Sequence, residues 1–184
     1  MIYALVFFGL IVLFVFFVIA IYNGLQRKRI AAKTAWSDID VQLKRRHDLV
    51  PNLVNTVKGY ASHEKETLEN VIQARNQAVN AKEINEQIGA ESMLTQSLGK
   101  LFALSEAYPD LKANQNFMQL QEELTSTENK IGFARQHYNR SVGQYNEALL
   151  VFPNNVIAGM FSFQQLRFFE VEDTAERAVP TVQF

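Results

Sequence analysis

Three histidines, His47, His63 and His137, are the side chains of this 184-residue chain best suited to bind a metal or move a proton near neutral pH. A di-iron helical bundle needs Glu-x-x-His, so that both groups project from one helix face. The residues three places before the histidines are Lys44, Tyr60 and Ala134, and the pattern fails each time. His63-Glu64 opens like a zinc-protease motif, but Thr67 stands where the second histidine would be required. The chain has no cysteine, which excludes disulfides, thiolate catalysis and cysteine-ligated metals. It also lacks a G-x-S-x-G elbow, a P-loop and a dinucleotide fingerprint. No catalytic residue, cofactor or metal site is therefore expected.

Other polar residues lie close to apolar stripes. Glu128 and Arg135 are one heptad apart, as are Asn139 and Asn146; Asp38 and Asp40 lie near Trp36, and Arg75 interrupts an otherwise apolar pattern. Such groups can form a buried ion-pair network or a ligand groove. The plainer reading, which we favour, is a set of interhelical hydrogen bonds that fix register.

The elements that must carry these groups begin with an oily run. Residues 2–22 are uncharged and almost wholly apolar, and as an α-helix they would span roughly 31 Å, about the thickness of a bilayer's hydrocarbon core. A cleaved signal peptide would need a basic leader, a shorter apolar stretch and small residues at the cleavage site. No basic residue precedes the run, and Val18-Ile19-Ala20 is a poor cleavage site, so a retained anchor over residues 1–24 is expected. Tyr3 and Tyr22 stand at its two ends, where amphipathic rings favour the headgroup level. Arg27, Lys28, Arg29 and Lys33 follow at once, which predicts a cytoplasmic body with the N-terminus outside, and membrane lipid as a partner. Net charge is −1 but divided, basic over 27–46 and acidic at the end, which argues against a nucleic-acid surface.

Beyond the anchor, apolar residues recur at three- and four-residue steps, the signature of helix. Phe117, Leu124, Ile131, Tyr138, Tyr145 and Phe152 fall every seven residues, with Leu120, Thr127, Ala134, Ser141 and Ala148 at the companion position. This predicts a long helix over 116–152, ended by Pro153. Trp36, Leu43, Val50 and Val57, with Ile39, Leu53 and Tyr60, predict another that could run on from the membrane, kinked at Pro51, with a break into two helices near residues 47–50 as the alternative. Two shorter helices are expected over 63–82 and 92–108, joined by a connection at 83–90, where periodicity is weak and Gly89 occurs. The architecture expected is all-α: a transmembrane helix, then an antiparallel four-helix bundle over 25–152 with two long and two shorter helices. That order returns the end of the last long helix toward the bilayer. The segment 153–170, with Met160, Phe161, Phe163, Phe168 and Phe169, would contact the membrane or another subunit, or fold back on the bundle. Residues 171–184 read as a disordered acidic tail.

Three strings carry a resemblance: AWSDIDVQLKRRHDLVPNLVNTVKGYASHE (35–64), AYPDLKANQNFMQLQEELTSTENKIGFARQHYNRSVGQYN (107–146) and FPNNVIAGMFSF (152–163). In order and over nearly the whole chain, they resemble the LemA family of bacterial membrane proteins. The resemblance implies one N-terminal transmembrane helix, an antiparallel helical bundle on the cytoplasmic side of the inner membrane, no established enzyme activity, and suggested links to membrane-protein quality control or envelope stress. It supplies no catalytic residue. Two functions are thus expected ahead of a metal-dependent enzyme: a self-associating scaffold beside the bilayer, or an accessory factor docked on a membrane protease or envelope machine.

Overall fold

A computed structural model describes residues 1–169. Among them are six α-helices and no strand: α1 (Ile2–Lys58), α2 (Lys65–Asn80), α3 (Ile84–Ser105), the single turn α4 (Pro109–Lys112), α5 (Gln115–Leu150) and α6 (Asn154–Met160). The acidic end expected at 171–184 lies outside the described residues. The chain divides into two compact units, one of residues 1–40 and 132–168, the other of 41–131 with Phe169.

In the first unit, the apolar run enters α1 without a break, and Leu25, Ala32, Ala35 and Ile39 form its buried stripe. α5 presents Tyr138, Val142, Tyr145, Ala148 and Leu149, also buried. Alanines on one helix and tyrosines on the other fill the seam by pairing small with large. Trp36 meets Tyr138 edge to face, with ring centroids 5.2 Å apart. α5 stops at Leu150, ahead of the cis Phe152–Pro153 bond, and α6 then closes in a Schellman turn. The Phe163 N–H donates to the Ala158 carbonyl at 2.9 Å and the Ser162 N–H to that of Gly159 at 3.3 Å. Ser162 takes the left-handed conformation usually left to glycine, with φ 54°, and so turns the chain back along α5.

The second unit contains the rest of α1 and α5, with α2 packed on α3. Its core runs through Val50, Leu53, Val57, Leu68, Val71, Leu94, Leu98, Leu101, Leu111, Phe117 and Leu124. The link between α2 and α3 is only residues 81–83, short enough to send α3 back beside α2. The connection expected at 83–90 is therefore helix. Ile84, Gln87 and Ile88 are half-buried and Ala90 and Glu91 buried, a continuous helical stripe in which the charged Glu91 is an inward-facing member. Gly89 is tolerated, and a Cβ there would meet nothing. Asn114 caps α5, its Oδ1 accepting from the Phe117 N–H at 3.0 Å. Tyr60 and Phe152, placed on the seams by periodicity, lie past the ends of α1 and α5 and are exposed.

Pro51 lies inside α1 and has no N–H to give the carbonyl of His47, four residues back. Arg75 on α2 supplies the missing donor, its Nε reaching that oxygen at 3.2 Å. This explains a cation that broke an apolar pattern. In melts of the full chain in detergent, Arg75→Ala should cost about 1–2 kcal/mol, and clearly less once Pro51→Ala restores the backbone donor. Equal costs in both backgrounds would rule out the compensation.

Candidate functional site

The polar centre of the second unit is built on a gap in a heptad. Ile39, Leu53 and Tyr60 share a seven-residue series whose missing member is Arg46, and on α3 the series of Leu94, Leu98 and Leu101 extends back to Glu91. Both side chains are almost wholly buried, Arg46 at 3 % and Glu91 at 4 % exposure. Arg46 Nη2 pairs with Glu91 Oε2, while Nη1 donates to Glu128 Oε2 at 2.5 Å and to Thr95 Oγ1 at 3.0 Å. His47 Nε2 lies 2.6 Å from Glu91 Oε1. Three helices, α1, α3 and α5, thus converge on one guanidinium.

Burial alone would push the Glu91 carboxyl up, but the His47 hydrogen bond and the charge and hydrogen bonds of Arg46 together hold it below the ordinary glutamate range. Both its oxygens are engaged, Oε2 by Arg46 and Oε1 by His47. The arrangement acts as a lock in the sense that a shift of any of the three helices would part a buried charge from its partner. Near it, Arg45 and Glu123 form a 3.6 Å surface pair, a weak contributor by comparison. Among the described residues, no group of three or more His, Cys, Asp or Glu could hold a metal. His63 and His137 are exposed.

In the first unit the segment after α6 forms a strap over α5. The Tyr145 hydroxyl donates to the Gln164 carbonyl at 3.0 Å and the Tyr138 hydroxyl to that of Arg167 at 2.9 Å. Asn146 binds Leu166 twice, Nδ2 to its carbonyl at 2.8 Å and Oδ1 from its N–H at 2.9 Å. Burial pushes the hydroxyls of both tyrosines up, Arg29 partly opposing this at Tyr145, so both remain donors at neutral pH. Tyr22 meets Phe161 at 4.9 Å and Phe163 at 5.5 Å between centroids. Met160, Phe161 and Phe168 are exposed, Phe163 is half-buried and Phe169 buried. Tyr3, Arg27, Lys28 and Lys33 are exposed, and Tyr22 and Arg29 half-buried.

Of the residues sought as core, Ile39, Leu43, Leu53, Val57, Phe117, Leu124, Ile131, Tyr138 and Tyr145 are buried, while Trp36 and Leu120 are half-buried. The buried hydroxyls of Thr127 and Ser141 are satisfied within α5, by Glu123 and His137 carbonyls. Sequence reasoning named Glu128 but missed its partner Arg46, along with Glu91. The signal was there in the gaps of two heptad series.

A LemA family model matches residues 35–184. The chain belongs to the LemA family. It is 26% identical over 170 residues to Protein LemA of Metamycoplasma hominis, covering 92% of this chain and 78% of that one. It is 22% identical over 191 residues to magnetosome protein MamQ of Magnetospirillum gryphiswaldense, covering 90% and 68%. Magnetosome protein MamQ 2 of Paramagnetospirillum magneticum is 22% identical over 80% of this chain, which spans 64% of that relative. The matched region takes in Arg46, Glu91 and Glu128, so the lock lies inside the LemA portion.

Arg46→Met should destabilise the protein by about 3–5 kcal/mol in thermal melts, because Glu91 loses its main counter-charge, whereas Arg46→Met with Glu91→Leu should recover most of the loss. Because folding lowers the Glu91 pKa, its contribution is present above the ordinary glutamate range and lost as pH falls through the folded value. Glu91→Gln should therefore flatten the decline in stability below about pH 4. An unchanged acid decline would contradict this.

Proposed function

We propose that this LemA-family chain is a membrane-anchored, non-catalytic helical scaffold of the bacterial inner membrane, with its N-terminus outside, its body cytoplasmic, and copies of itself as its first partner. The observation that carries the reading is the apolar run at the head of α1. It is the one described helix apolar and long enough to cross a membrane, and none of that stretch is buried inside the protein. A helix of this kind left in water would expose Phe7, Phe8, Leu13, Phe14 and Phe16 on all sides, which lipid would cover. Arg27, Lys28 and Lys33, exposed beyond the run, support the orientation.

Self-association is supported by apolar side chains the body leaves uncovered. Ile30 and Phe133 are exposed in the first unit and Val41 and Met118 in the second, Phe133 at 71 %. These residues also suit a heterologous protein, which is the accessory-factor reading: docking onto a membrane protease or envelope machine.

Lysine crosslinking in native membranes followed by affinity capture in mild detergent separates the two. The scaffold predicts crosslinked dimers or higher oligomers and capture of a differently tagged copy. A stoichiometric foreign protein without self-copies would move the assignment to the accessory role, and monomer alone would reject both.

A further inference from the structure

The base of the first unit carries an apolar surface that its own fold leaves uncovered. Between Glu147 and Arg167 the chain has no charged residue. α6 buries Ile157 and Ala158, yet its opposite side turns Val156 and Met160 outward, one helical turn apart, flanked by Phe152 and Phe161. Phe152 is 81 % exposed and Met160 71 %. In water such a surface is unfavourable, each large side chain forgoing about 1.5–3 kcal/mol of burial.

Two contacts fix where this surface lies along α1. Ala158 belongs to the cluster of Leu25, Tyr145, Ala148 and Leu149, against which Ile21 also packs. The Phe161 ring lies against Tyr22. Ile21 and Tyr22 are the last residues of the apolar run, so α6 sits beside the end of the proposed span, at the level where aromatic rings gather in headgroups. Arg27 and Lys28 are exposed just beyond, suited to anionic lipid phosphates.

We infer that Phe152, Val156, Met160 and Phe161 form a second lipid contact, a foot that rests in the interfacial layer of the leaflet where the span ends. The occupant is the bilayer, because the surface is continuous with a segment that itself needs lipid. The inference rests on the anchor proposed above. Its consequence is mechanical: a span that touches lipid only through one helix is free to tilt and spin, whereas a span with a foot at its base holds the body at a set angle to the membrane.

Absence of cysteine makes the test clean. Spin labels placed singly through Phe14→Cys, Met160→Cys and Gln136→Cys in the full chain, reconstituted in phosphatidylcholine–phosphatidylglycerol vesicles, report collisions with oxygen, which enriches in lipid, and with a soluble nickel chelate. Gln136 is exposed on α5, twelve residues before Ala148, roughly 18 Å along the helix. The foot predicts an oxygen-to-nickel ratio at Met160 several-fold above that at Gln136 and closer to that at Phe14. A nickel-favoured Met160 beside an oxygen-favoured Phe14 overturns the foot and leaves the anchor standing. Low collision with both reagents at Met160 marks a second copy of the chain as the occupant and also overturns it. A nickel-favoured Phe14 removes the anchor, and the foot with it.

Discussion

Residues 2–22 form a helix apolar and long enough to cross a membrane, and in hydrocarbon, which offers no hydrogen bonds, such a helix would satisfy its own backbone. Nothing in the residues that follow stops that helix. No proline lies before Pro51, and Gly24, the one glycine between the run and Pro51, is tolerated, with nothing near the place a Cβ would take. α1 therefore carries its hydrogen-bond ladder from the apolar run into the packed face of Leu25, Ala32, Ala35 and Ile39. Any tilt or rotation of the apolar run becomes a tilt or rotation of that face. The strap and α6 are then best understood as what closes the base of this unit.

The second unit depends on a different device. Its core is mostly aliphatic, and leucine and valine seams by themselves discriminate poorly between alignments. One arginine at a seam position changes this, because Arg46 can be buried only where Glu91 on α3 and Glu128 on α5 reach it. His47 next to it binds the other Glu91 oxygen, and its backbone carbonyl, orphaned by Pro51, is taken by Arg75 from α2. Two adjacent residues on α1 thus make polar contacts with three other helices.

Much of this is legible in the amino-acid sequence alone. Apolar period gives an all-helical chain, Pro153 closes the long helix within a few residues of Leu150, and the cluster of basic residues after Tyr22 marks the end of the run. What escapes has a common cause. Weak apolar periodicity and Gly89 read as a connection at 83–90, and Arg46 reads as a gap in the series of Ile39 and Leu53. A charge at a heptad position reads as an interruption until its partner is known, and the partner is more than forty residues away. The strap is hidden for another reason. Its hydrogen bonds run from Tyr138, Tyr145 and Asn146 to backbone carbonyls, and backbone carbonyls have no sequence signature.

Hydrogen exchange of the full chain in lipid vesicles tests most directly whether the apolar run and the packed face of the first unit are one rigid element. The amides of residues 23–33, just past the apolar run, belong to the uninterrupted ladder of α1 and should exchange as slowly as those of residues 34–40. If residues 23–33 exchanged at the rate of an unstructured chain while 34–40 stayed protected, the apolar run would be joined to the first unit's packed face by a flexible linker, and their coupling through α1 would be wrong.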